Sequence, residues 1–182
     1  YPAPEANGRS GIGISLYGTL LDSTGECAWF SQLGGYFGCF NTKTKQLENL
    51  VELPLGAAPR RLAIDKNDMI WVPLFGSGQL MKYDGAKKRK LAIYDLPDRA
   101  SAPYTVIWDE QRKLVWVGTS NGDVIYSFNP ATEKFGVLPL PRKNAYFRKL
   151  YVDPKSGDLI ASYAFVPAGA STEAVVVIHP GF

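Results

Sequence analysis

Tyr17, Arg60, Tyr104 and Arg148 stand at intervals of 43, 44 and 44 residues, alternating phenol with guanidinium. Arginine offers a rigid fork of donors that matches carboxylate or phosphate, and tyrosine adds a hydroxyl and a ring face. Brought together, the four would form a cup for an anionic or aromatic group. They would equally well plug a channel by bonding to one another. The segments leading into these positions add Arg9, Arg61, Arg99, Arg142, Lys143 and Lys149, against only Glu5 and Asp98. A rim built this way is positive and attracts an acidic ligand or an acidic protein surface. The chain as a whole is nearly neutral, with a net charge of +3, so the basic character is local.

Other chemistry-bearing motifs have plainer readings. "GTSNG" (Gly118 to Gly122) matches the G-x-S-x-G nucleophile pattern, but Asn121-Gly122 reads as a hairpin turn, and the elbow requires a following helix. "GAKKRK" (Gly85 to Lys90) reads as a solvated outer hairpin, and "DKND" (Asp65 to Asp68) as a turn that lacks the ligand spacing of a calcium loop. The single histidine, His179, falls in a turn position that other repeats fill with Asn41, Asp84 and Asn129. No catalytic residue, resident metal or cofactor is expected from these residues. Cys27 and Cys39 fall on neighbouring strands of one hairpin, where either a disulfide or two small buried hydrophobes would fit.

The elements that position these residues are repeats. Asp22, Asp65, Asp109 and Asp153 each end a strand-like run, again at intervals of 43, 44 and 44 residues. Each is followed by a polar turn and a second apolar run carrying Trp29, Trp71 or Trp116, with Ile160 in that place in the last repeat. A third run follows a Gly-rich turn, and a fourth ends in Leu-Pro. Four short strands per unit of this length define the blade of a β-propeller, and no segment sustains a helical period. The chain of 182 residues, 46% hydrophobic, is predicted to be one all-β propeller domain over residues 1–182. Its blades fall at about 12–54, 57–97, 102–141 and 145–182, with residues 1–4 as a closing strand. Two architectures fit: a closed ring of four blades, or part of a larger ring. The second is preferred because Tyr1 falls inside a strand. No apolar run approaches the roughly twenty residues of a spanning helix.

Pro59, Leu62, Asp65, Trp71, Tyr83, Asp84 and Pro97 spell out a unit that returns as Pro103, Val106, Asp109, Trp116, Phe128, Asn129, Pro130 and Pro141. This unit resembles that of the streptogramin B lyase (virginiamycin B lyase) family of β-propellers. The resemblance implies elimination at an ester bond of a cyclic antibiotic, with a magnesium ion and a histidine base near the channel. The histidine would stand at the positions occupied here by Tyr17, Arg60, Tyr104 and Arg148. It also implies an exported protein, periplasmic or extracellular.

Three functions follow as expectations. The first, and preferred, is a non-catalytic accessory module that docks on a protein partner or self-associates. The second is a magnesium-dependent lyase-like or lactonase-like enzyme that takes its base from elsewhere. The third is a binder of a small anionic or aromatic ligand on Tyr17, Arg60, Tyr104 and Arg148. Nucleic acid is not expected. Tyr104, Tyr146 and Phe147 interleave with basic residues as stacking platforms would, but the cations are few.

Overall fold

The computed structural model describes residues 15–141, 143–165 and 174–181 of the chain. They form a β-propeller of four blades, each an antiparallel sheet whose strands lie in chain order. Blade 1 comprises β1 (Leu16–Leu21), β2 (Cys27–Gln32), β3 (Tyr36–Asn41) and β4 (Leu47–Glu52). Blade 2 comprises β5 (Ala63–Ile64), β6 (Met69–Leu74), β7 (Gln79–Asp84) and β8 (Arg89–Asp95). Blade 3 comprises β9 (Pro103–Asp109), β10 (Leu114–Thr119), β11 (Val124–Asn129) and β12 (Lys134–Pro139). Blade 4 has three strands among the described residues: β13 (Ala145–Val152), β14 (Leu159–Phe165) and β15 (Ala174–Ile178). The expected closing strand, residues 1–4, lies outside the described residues.

The repeated aspartates turn out to build the turn between first and second strands. The side chain of Asp65 accepts hydrogen bonds from the backbone N–H groups of Asn67 and Met69, and that of Asp109 from those of Gln111 and Arg112. Asp22 and Asp153 do the same for Glu26 and Lys155. A carboxylate is favoured there because it satisfies turn donors that neither strand can use. "DKND" is such a turn, and its Asp68 reaches across to accept from the backbone and hydroxyl of Ser23 in blade 1.

The tryptophans of the second strands fill the spaces between blades. Trp29, Trp71 and Trp116, each 1% exposed, belong to three separate cores. The first joins blades 1 and 2, the second blades 2 and 3, and the third blades 3 and 4. A strand covered on both faces reads as a continuous apolar run, which is why "MIWVPL" and "LVWVGT" show no alternation. Ile160, in the tryptophan's place in blade 4, faces the other way from the third core. So do Val175 and Val177, which are 72% and 51% exposed. Leu21 and Leu50 stand exposed on the corresponding far face of blade 1. No hydrophobic core among the described residues joins blade 4 to blade 1. Cys27 and Cys39 are joined as a disulfide between β2 and β3, inside the first core.

The third core contains a fully buried carboxylate. Asp109 takes hydrogen bonds from the Trp116 indole at 3.0 Å and the Arg112 guanidinium at 3.1 Å. Burial pushes its carboxyl up, but the bonds from Trp116 and Arg112 outweigh it and hold the pKa below the ordinary range. A depressed folded-state pKa contributes stability that is present at neutral pH and lost as pH falls through the folded value. The urea midpoint is therefore expected to fall as pH drops below about 4, and Asp109→Asn is expected to flatten that dependence. An unchanged acid slope in the variant would remove Asp109 from the account.

Candidate functional site

The first strands of the blades surround the propeller axis, and their irregularities decide what faces it. β1 carries a register shift between Leu16 and Thr19, and β13 one between Phe147 and Leu150. Such a bulge re-aims the side chains beside it. Blades 1 and 2 also approach closely at Gly18. A Cβ added there would lie 3.0 Å from the Arg60 carbonyl oxygen and 3.1 Å from Arg61 Cα, so a larger residue would require the neighbouring backbone to shift by a few tenths of an ångström. The Gly18 N–H donates to the buried Ser31 hydroxyl, which donates in turn to the Arg60 carbonyl. Arg61 pairs in parallel fashion with Thr105, tying blade 2 to blade 3 at the axis.

Arg60 sits in an aromatic cage at the mouth. Its guanidinium carbon lies 4.3 Å from the Phe75 ring centre, 5.1 Å from that of Tyr17 and 5.9 Å from that of Tyr104. Tyr104 is in edge contact with Tyr17 at 5.7 Å and with Tyr146 at 5.2 Å, and Arg148 lies 5.3 Å from the Tyr146 ring. The cup residues of the sequence therefore come together, through ring faces and not through mutual hydrogen bonds among the described contacts. Arg60 Nη1 is buried and has no hydrogen-bond partner among the described residues. Burial holds the Arg60 pKa below the usual arginine range, with Tyr17 and Tyr146 working the other way. Phe75 and Tyr146 complete the cage; the sequence points to Tyr146 only as a stacking platform and does not point to Phe75. The strand-ending position of Phe75, one place after the β6 run, is the signal that could have found it.

Charge at the mouth is unbalanced. Arg60, Arg61, Arg148 and Lys149 form no ion pair among the described residues, whereas several cations elsewhere find carboxylates. Lys66 pairs with Glu110, Lys88 with Glu48 and Arg112 with Asp109. Of the other rim residues, Arg99 donates to the Ser77 carbonyl and lies 3.8 Å from Asp95, and Lys143 is exposed. Arg9 and Arg142 lie outside the described residues. Phe147 is fully buried in the third core and offers no stacking platform.

Below the mouth, the axis opens into a cavity of about 360 Å³. Among the described residues, Tyr17, Arg61 and Lys149 line its upper end, Thr19 and Thr105 its wall, and Leu20, Ile64, Ile107 and Trp108 its lower end. Arg61 and Lys149 thus face the cavity, one position along from Arg60 and Arg148. His179 is remote from all of this. It lies at the opposite end of blade 4, where β14 begins, 78% exposed and 2.7 Å from Asp158. The hydrogen bond from His179 holds the Asp158 carboxyl below its usual range, helped by Ser156. Ser120 of "GTSNG" lies in the turn between β10 and β11, its backbone N–H given to the Ala102 carbonyl. No group of three or more His, Cys, Asp or Glu residues placed to hold a metal occurs among the described residues.

Four antiparallel blades about a common axis define the class as a β-propeller, and solved structures narrow it. The fold is streptogramin B lyase-like. Selenomethionine-substituted virginiamycin B lyase from Staphylococcus aureus superposes with a TM-score of 0.74 at 14% identity, over 95% of this chain and 58% of that one. Hydrazine synthase from Kuenenia stuttgartiensis gives a TM-score of 0.80 at 14% identity, over 94% of this chain and 47% of the other. An extracellular domain from B. thetaiotaomicron gives 0.65 at 18% identity, over 82% of this chain and 20% of that one. The chain thus spans about half the length of the first two. It matches no protein-family model and no curated protein sequence.

Proposed function

We propose that the chain is a non-catalytic β-propeller module that docks, through the mouth of its axis, on an acidic surface of a protein partner in an extracytoplasmic assembly. The observation that carries this reading is the set of four cations at the mouth, Arg60, Arg61, Arg148 and Lys149, without an ion-pair partner among the described residues and framed by Tyr17, Tyr104 and Tyr146. Arginine and tyrosine gathered in one place are the composition of interface hot spots. An unopposed positive field also speeds encounter with an acidic surface. The only histidine is engaged with Asp158 at the far end of blade 4, which favours docking over base-catalysed elimination. The Cys27–Cys39 disulfide suits an oxidising compartment. No helix among the described residues is long and apolar enough to cross a membrane.

A glutamate oligopeptide serves as a surrogate for the acidic surface in calorimetric titration of the folded chain. It is expected to bind, and to weaken by about tenfold when ionic strength rises from about 0.05 M to about 0.5 M. A glutamine oligopeptide is expected not to bind. Equal binding of the two peptides, or binding indifferent to salt, would count against docking through charge.

A further inference from the structure

We infer that the axial cavity also binds a small amphipathic monoanion, a carboxylate carried on a short apolar body, with Arg61 and Lys149 shared between the cavity and the mouth. The inference does not depend on protein docking at the mouth. It rests on how chemistry is distributed along the cavity. At the upper end, Arg61 and Lys149 contribute two positive charges, and no carboxylate lines the cavity among the described residues to offset them. Neither cation forms an ion pair elsewhere among the described residues, so both are available to a ligand head group. At the lower end, Leu20, Ile64 and Ile107 present only hydrocarbon. Trp108 joins them with its ring, because its indole N–H is already given to Glu110 at 2.7 Å.

Polarity therefore falls along the axis from two cations to an apolar floor. A ligand with charge at one end and hydrocarbon at the other satisfies both. Inorganic anions would leave the floor uncovered, and neutral hydrocarbons would leave the cations without a counter-ion. The volume of about 360 Å³ lies at the small end of ligand cavities, which run from about 300 to 1,000 Å³. A compact body such as a single ring or short branched chain suits it better than a long acyl tail. An arginine and a lysine on the lining of one cavity favour a carboxylate, with the guanidinium fork engaging both oxygens and the ammonium acting as a point charge.

Fluorine NMR of the full chain with fluorophenylacetate tests the assignment, with fluorophenylethanol and acetate as partial mimics. The expected result is saturable binding of fluorophenylacetate, at least tenfold weaker binding of the alcohol, and no displacement by a tenfold excess of acetate. Arg61→Gln and Lys149→Gln are each expected to weaken binding at least tenfold. Thr19→Trp should abolish it by filling the cavity from an exposed position, and Ile107→Phe does the same from the floor should the first variant fail to fold. Thr19→Trp should leave binding of the glutamate peptide in place, so failure here and failure of docking are distinguishable. Absence of saturable binding, equal affinity for the alcohol, displacement by acetate, or undiminished binding in the folded cavity-filling variant would each overturn the inference.

Discussion

Trp116→Ala is expected to lower the unfolding free energy by about 3–5 kcal/mol, the range for removing a large buried aromatic side chain. Trp116 is 1% exposed and packs with Ile125, Phe147 and Leu150 in the core shared by blades 3 and 4. Its removal opens a cavity at the blade interface and takes a donor from Asp109, which is fully buried. A phenylalanine at this site keeps most of the volume and loses the hydrogen bond, so Trp116→Phe isolates that contribution at about 1–3 kcal/mol. Trp71 provides the control. It is equally buried, but its indole N–H has no hydrogen-bond partner among the described residues, so Trp71→Phe should cost less than Trp116→Phe. Urea unfolding of the three variants reads these differences directly. If the two phenylalanine variants prove equal, the bond to Asp109 adds nothing to stability.

Arg60→Met is expected to separate binding from stability. Affinity for the glutamate peptide should fall at least tenfold, while the urea midpoint stays level or rises. The guanidinium is held among Phe75, Tyr17 and Tyr104, with Nη1 buried and without a hydrogen-bond partner among the described residues. Each ring contact favours the cation by about 0.5–2 kcal/mol, but the half-buried guanidinium has no ion pair among the described residues, so partial desolvation opposes that gain. Methionine keeps a flexible, polarisable side chain against the same rings and removes the charge. A fold that becomes less stable as binding falls would show that Arg60 is a structural plug. Unchanged binding would remove it from the docking surface.

The blades were legible because their signals are local and repeated. An aspartate that builds a turn, a tryptophan buried between two sheets and a Gly-rich hairpin recur at one spacing, and each has a single structural use. Residues at the axis were harder to place. Counting back from each aspartate selects Arg60 and Arg148, and these do reach the aromatic mouth. The cavity beneath is faced by Arg61 and Lys149, which the same counting assigns to the rim. A shift of one residue moves a side chain to the other face of its strand, and the irregularity in β13 after Phe147 has no signature in residue type. Phe75 escaped notice for a related reason. It follows its strand, and only the return of blade 2 toward the axis brings it over Arg60.

The three cores each straddle two consecutive blades and are not contained within one. Cooperativity in such an array passes only between nearest neighbours. Duplication of one blade therefore adds one new interface and leaves the existing ones intact, so the array can lengthen or shorten by whole units without redesign of its interior. Residues at the axis escape that rule, because side chains from all four blades line one cavity there. The axis can accordingly change its chemistry, from one charge pattern to another, while the repeat that supports it stays the same.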